Sequence, residues 1–252
     1  MANYQGMMKI ISKRELVKDV YEMVLEGKSA SFIKAPGQFI NIKINDSLQP
    51  YLRRPMSICD YDESHITMIF RVVGEGTKIL SQKNVGDELD CLVGLGNGFV
   101  DLNQNKAVVI GGGLGVPPMY KLAKELVSRG VEVKAILGFN NEKDVFYKDE
   151  FEKICPTFIA TMDGSMGEKG TVVDVLESHQ FQMDTYYACG PEKMLDALAL
   201  NYPDNGYLSF EARMGCGFGA CMGCSCKVKT KPYKRICVEG PVLHSSEVIV
   251  NG

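Results

Sequence analysis

The sequence predicts an antiparallel β-domain, a sandwich or barrel, followed by a doubly wound α/β domain and a small metal-binding module. Three observations predict it. Residues 1 to about 100 alternate apolar and polar side chains between closely spaced turn signals. From Lys106 onward, short apolar runs alternate with stretches of helical spacing. Near the end, Cys216, Cys221, Cys224 and Cys237 stand in a glycine-rich run. The boundaries fall at 1–102, 103–205 and 206–252.

In the first part, QFINIKI (38–44), HITMIFRVV (65–73) and DELDCLVG (87–94) carry the two-residue period of strands. Pro36-Gly37, Asn45-Asp46-Ser47, Gly74-Glu75-Gly76 and Val85-Gly86-Asp87 punctuate them. LRRPMSI (52–58) sets an Arg beside a Ser on a strand. Such a pair either grips a phosphate, since Arg makes bidentate charge-assisted bonds, or is a solvated surface pair. GEGTKIL (74–80) offers two glycines, a Thr hydroxyl and a helix start. It reads as a second phosphate cradle or as an ordinary capped turn.

In the second part, KAVVI (106–110) is short and apolar, as a parallel strand covered on both faces would be. GGGLG (111–115) follows it and opens PPMYKLAKELVSRG (117–130), a stretch of helical spacing ending in Gly. Backbone N–H groups at a helix start suit a pyrophosphate. The run is not the full dinucleotide fingerprint, because Pro stands where a third glycine belongs and no acidic residue sits about twenty residues on at the strand end. A tight turn without a ligand is the alternative. VEVKAILGF (131–139), TFIATMD (157–163) and TYYACG (185–190) read as further strands, with TVVDVLESH (171–179) and PEKMLDALAL (191–200) as helices. The strand before Pro191 carries Cys189 and Gly190 to the carboxyl edge of the sheet, where ligands bind. The alternative for Cys189 is a buried small thiol.

The cysteine run has the spacing C-x4-C-x2-C-x12-C, with Gly215, Gly217, Gly219 and Gly223 in its first half. Four thiolates are the ligand set of a [2Fe–2S] cluster, and the plant-type run opens with this spacing. Glycines let the loop turn its N–H groups inward. Structural zinc, which favours two C-x2-C knuckles, is the alternative. Cys226 falls outside the spacing and reads as a bystander.

Composition narrows the rest. With 45% hydrophobic and 23% charged residues, the chain can bury a real core. A net charge of −3 gives no reason to expect a nucleic-acid or membrane-surface partner. No apolar run approaches the ~18 residues of a membrane span. Nine cysteines without a secretory signal predict a reducing, cytoplasmic setting. His65, His179 and His244 are scattered, and no Gly-x-Ser-x-Gly occurs. The chain thus offers no acid–base pair of its own for breaking substrate bonds.

In order, RRPMSI, GEGT, GGGLGVPPMYKLAKEL, TMDGSMGEKGTVVDVL, CGPEKML and GCGFGACMGCSCK span nearly the whole chain. Together they resemble the ferredoxin–NADP reductase superfamily, and more closely the electron-transfer subunits of NAD-linked, type B dihydroorotate dehydrogenases. The resemblance implies an FAD-binding β-barrel, an NAD-binding α/β domain and a C-terminal [2Fe–2S] module. It assigns FAD contacts to Arg54, Pro55, Met56, Ser57, Ile69, Phe70, Arg71, Gly76 and Thr77. Gly112, Gly113, Leu114, Gly115 and Gly190 fall to NAD, and Cys189 to a place near the nicotinamide. The four cysteines of the run match the cluster ligands. An FMN-containing catalytic subunit, two copies with two of this chain, is the implied partner in pyrimidine biosynthesis. Subunits of NADH-dependent ferredoxin:NADP oxidoreductases and sulfide dehydrogenases share the wiring and form the alternative. A non-enzymatic metal-binding module is the alternative of another class.

Overall fold

Residues 4–47 and 49–250 are described in a computed structural model. Strands β1 (Tyr4–Val17), β2 (Val20–Glu26), β3 (Phe39–Ile42), β4 (Arg54–Tyr61), β5 (His65–Arg71) and, after helix α1 (Glu75–Gln82), β6 (Glu88–Leu95) come first. They close into an antiparallel barrel in the order β1-β2-β5-β4-β3-β6. Alternation builds its core: Met8, Ile10, Met23, Leu25, Ile40, Ile42, Ile66 and Met68 all point inward and are fully buried. β1 is long enough to pair with β6 through Tyr4–Lys9 and with β2 through Lys9–Val17. Register shifts after Ile10 and Glu15 bend it between the two neighbours.

The second sheet begins with β7 (Lys106–Gly112), α2 (Val116–Ser128), β8 (Glu132–Phe139) and α3 (Lys148–Glu152). β9 (Thr157–Thr161), β10 (Glu168–Lys169), α4 (Val172–His179), β11 (Thr185–Cys189), α5 (Glu192–Asn201) and β12 (Gly206–Ser209) follow. The strand order is β10-β9-β8-β7-β11-β12, all parallel. Apolar side chains of β7 face both ways. Ala107 and Val109 pack on Met119, Leu122 and Leu126 of α2, while Val108 and Ile110 pack on Val175, Leu195 and Leu198. Chain order reverses between β7 and β11, so the crevice for a ligand opens at their carboxyl ends. Thr171 and Asp174 cap α4 reciprocally, each side chain taking the other's backbone N–H.

The chain then leaves the sheet edge for residues 210–241, which include the two-residue strands β13 (Ser225–Cys226) and β14 (Lys234–Arg235). It returns as β15 (Val242–His244), antiparallel to β12 with Leu208 opposite Leu243. Phe210 N–H donates to Pro241 C=O at 2.9 Å and closes the neck of this excursion. Two strands numbered within 206–252 thus extend the large sheet.

Side chains join barrel to sheet. On α2, Lys124 and Lys121 reach Asp60 of β4 at 2.6 and 3.5 Å. Tyr61 donates to Glu125 at 3.0 Å. Glu22 of β2 is only 8% exposed and accepts from Arg14 at 2.7 and 2.9 Å and from the Tyr147 hydroxyl ahead of α3. Burial opposes ionisation of Glu22, yet these bonds hold its carboxyl below the usual range. No helix among the described residues is long and apolar enough to cross a membrane.

Candidate cofactor-binding site

Three clefts meet at Leu114, among the described residues the one side chain that lines all of them. The first, of about 290 Å³, lies against the barrel. Arg54, Pro55, Met56 and Ser57 of β4 line it, with Ile69, Phe70 and Arg71 of β5 and Thr77 of α1. Strands β4 and β5 are antiparallel neighbours, so both segments reach the same rim. Gly76 stands behind them: a Cβ there would lie 2.5 Å from Arg54 Nε. Hence the guanidinium can lie over the start of α1, where unpaired N–H groups favour an anion. Arg71 Nε is buried without a partner, although its Nη2 reaches Asp144 at 3.4 Å. An orphaned donor on this rim fits a phosphate oxygen. The Thr77 hydroxyl is already engaged, accepting from Val73 and Gly74 N–H and donating to Gly74 C=O. Those bonds are the ones a capped turn makes, and the same side chain also lines the cleft.

Arg53 and Arg54 part company, as alternation requires. Arg53 turns away to Asp90, at 2.7 Å to both its carbonyl and its carboxylate, while Arg54 faces the cleft.

The second cleft, also about 290 Å³, opens at the carboxyl ends of β7 and β8. Gly112, Gly113 and Leu114 line it with Asn140, Asp144, Thr171 and Pro191. Gly113 has φ +53, a left-handed turn that bends the loop back toward α2. Gly115 lies so close to β11 that a Cβ would fall 2.0 Å from Cys189 C=O. That contact does the strand–helix packing that the dinucleotide fingerprint gives to its third glycine. Cys189 itself is 1% exposed, and burial pushes its thiol up to about 12. Its neighbour Gly190 lines the third cleft.

That cleft, about 460 Å³, runs from Gly112, Gly115 and Gly190 to Cys224 and Cys226. Phe210, Glu211 and Ala212 line both it and the barrel cleft. Sequence motifs missed these residues. The one local signal is their position just past β12, at the same carboxyl edge as Gly112 and Gly190.

The cysteine loop packs beside them. Cys216 Sγ accepts from the N–H groups of Ala220 and Cys221 at 3.3 and 3.4 Å. Cys221 Sγ accepts from Cys216 N–H, and Cys224 Sγ from Cys237 N–H, both at 3.4 Å. Gly217 and Gly219 reach this conformation with φ +80 and +94. Burial would raise the Cys216 thiol, but N–H groups of Phe218, Cys221 and Ala220 bring it down to about 6. No three His, Cys, Asp or Glu side chains among the described residues converge on one metal-ion position. Instead backbone N–H bonds to sulfur link the cysteines in two pairs, 216 with 221 and 224 with 237. Two pairs suit a two-iron cluster, whose irons take two thiolates each. Cys226 lies apart on the β13–β14 ladder, opposite Lys234.

The family model described as the iron-sulfur cluster binding domain of dihydroorotate dehydrogenase B matches residues 211–249. The oxidoreductase NAD-binding domain model matches residues 109–199. A dihydroorotate dehydrogenase B (NAD(+)) electron transfer subunit from Geobacillus sp. (strain WCH70) is 44% identical over 98% of this chain and 99% of its own length. One from Fusobacterium nucleatum is 45% identical over 93% and 94%. Among solved structures, an NADH-dependent reduced ferredoxin-NADP oxidoreductase superposes with TM-score 0.88 at 28% identity, over 97% of this chain and 90% of that one. An Amycolatopsis cytochrome P450 reductase shares the fold, with TM-score 0.69 at 17% identity over 80% of this chain and 66% of that one.

Proposed function

The chain belongs to the family of dihydroorotate dehydrogenase B electron transfer subunits, and we propose that it carries electrons from an FMN-containing, dihydroorotate-oxidising partner to NAD+. One observation supports this reading above others: the nucleotide loop, the barrel cleft and the cysteine loop converge within reach of Leu114. When bound, FAD and the [2Fe–2S] cluster supply the one- and two-electron chemistry that ends in hydride transfer to NAD+.

The residues hold and orient. Arg54, Arg71 and the start of α1 would take the FAD pyrophosphate; Pro55, Met56, Ser57, Ile69 and Phe70 would line its ring. Gly112, Gly113, Leu114, Gly115 and Gly190 would seat NAD, with Cys189 buried beneath as a neutral thiol. Asp144 lines the nucleotide cleft, and the neighbouring pocket sets Glu142 and Asp163 against a single cation, Lys143, a balance that supports NAD over NADP. Cys216, Cys221, Cys224 and Cys237 would ligate the cluster. Phe218 and Met222 on that loop are 48% and 40% exposed, which supports a partner seated against it in a heterotetramer of two copies each. Nine free cysteines support a cytoplasmic setting.

The test mixes this chain with an FMN-bearing dihydroorotate dehydrogenase subunit and follows orotate formation coupled to NADH. The pair should bind and couple, whereas the chain alone should oxidise NADH with an artificial acceptor and leave dihydroorotate untouched. A second reading, as the corresponding subunit of a ferredoxin-NADP oxidoreductase, draws on the 0.88 superposition. It takes over if the mixture stays silent while a ferredoxin or NADP-linked partner couples.

A further inference from the structure

Asn41 lies on β3, on the outer face of the barrel between the inward Ile40 and Ile42, and is 1% exposed. It belongs to none of the segments assigned above to a cofactor. Its strand neighbour across β4 is Pro55, in the stretch that lines the barrel cleft. Its side chain points the other way in function. Nδ2 donates to the backbone C=O of Cys216 at 3.1 Å, across 175 positions of sequence. Oδ1 is buried and has no partner. A donor facing a carbonyl fixes which way the amide lies, because the flipped amide would set oxygen against oxygen. Burying an amide with one end unpaired is costly, and buried polar groups so placed have a reason to be there.

The loop is shaped to receive this amide. Gly217, directly after Cys216, has φ +80, and a Cβ on it would lie 2.4 Å from Asn41 Nδ2. The position is thus closed to other residues twice, by backbone conformation and by the amide itself. From the far side, Arg235 donates to Gly219 C=O at 2.7 Å while Glu239 holds its guanidinium at 3.0 Å. The arc from Cys216 to Gly219 is therefore gripped at both ends, once from the barrel and once from the tail. Only the barrel grip touches a cysteine of the cluster set.

We propose that Asn41 is a positioning residue for the cluster: its amide, reaching from the flavin barrel, fixes the Cys216 peptide and so sets the Cys216–Cys221 pair against the β3–β4 wall. This rests on the reading of the four cysteines as cluster ligands. It gives the barrel a second task besides lining the flavin cleft, since one strand pair then references both groups. Holding the peptide also aims the N–H groups of Ala220 and Cys221 at the Cys216 sulfur, the contacts through which a protein tunes a cluster.

Asn41→Leu keeps the side chain's shape and removes the donor; Gly217→Ala displaces the amide from the loop side and leaves the barrel intact. Both are purified with flavin content as the control for folding. Reduced samples are compared with the unaltered chain by EPR and by redox titration, and cluster bleaching in air is timed. The expected result is full flavin, altered EPR g-values, a lower midpoint potential and bleaching about fivefold faster, the effect of one lost hydrogen bond. If Asn41→Leu loses flavin as well, Asn41→Ser decides: with full flavin, the same spectral changes sustain the proposal and unaltered spectra overturn it. Two variants with unaltered spectra, potential and bleaching overturn it. An unaltered chain lacking acid-labile sulfide would overturn the cluster reading first and this one with it.

Discussion

Gly115→Ala is a one-carbon change with a calculable consequence. The new Cβ would fall 2.0 Å from Cys189 O, 2.3 Å from its carbonyl carbon and 2.5 Å from Gly190 N. All three are backbone atoms of the β11 end, so no side chain can swing aside. Relief requires the 113–115 turn to lift by about 1.4 Å, the gap between 2.0 Å and the 3.4 Å where ordinary contact starts. Misplacing a bound reactant by about 1 Å costs on the order of 10²-fold in rate. We therefore expect kcat/KM for NADH, with ferricyanide as acceptor, to fall at least about 100-fold, or about 2.7 kcal/mol of barrier. Flavin absorbance and acid-labile sulfide should stay at their original ratios, because Arg54, Arg71 and the cysteine loop are untouched. A variant with full cofactors and unchanged kcat/KM would refute the idea that this loop's seat on β11 aligns the nicotinamide.

Four other outcomes are expected. Cys237→Ser should abolish the cluster and Cys226→Ser should retain it, as iron and sulfide analysis will tell; zinc without sulfide in the unaltered protein would sink the cluster altogether. Arg54→Ala should weaken FAD binding by about 1.5–3 kcal/mol, the worth of a hydrogen bond to a charged group, while Arg53→Ala, which loses its bonds to Asp90 and to the Asn41 carbonyl, should keep its flavin in equilibrium dialysis. Tyr147→Phe removes the hydroxyl from Glu22 and should cost about 1.5–3 kcal/mol in denaturant unfolding. The Glu22 carboxyl binds its proton more weakly folded than unfolded, so its contribution is complete above the ordinary value of 4.5 and is lost as pH falls through the lower folded value. Melting temperatures from pH 7 to 3 should show that loss, and Glu22→Gln should flatten it.

The sequence was most legible where chemistry dictates spacing. Four thiolates on one small cluster impose short fixed gaps, so the cysteine run could be read without any fold. KAVVI, VEVKAILGF and TYYACG were legible because a covered parallel strand must be apolar on both faces. GGGLG stayed ambiguous. Its last glycine, Gly115, answers to backbone atoms at the end of β11, 74 positions on at Cys189, and local sequence does not carry that distance. The same limit hid the Phe210–Ala212 rim and the return of β15 to β12, because pairing partners so remote leave no periodic trace. Asn41 was invisible for a simpler reason: within QFINIKI it occupies an alternate position that a polar residue on any outer strand face would occupy. The length of β1 was obscured by its two register shifts, each of which breaks the period-two count.

The closed neck at Phe210 and Pro241 bears on how the cysteine run meets solvent. Both ends of the 210–241 excursion are stitched to a sheet whose core contains no cysteine of the run except Cys224 and Cys237. Most of the loop-closure entropy is therefore met by β-pairing. The fold thus gathers the four thiols of the run, with Cys216 and Cys221 nearer the surface than Cys224 and Cys237. A reagent that reaches the run from solvent therefore meets Cys221 and Cys216 before Cys224 and Cys237, without any opening of the barrel.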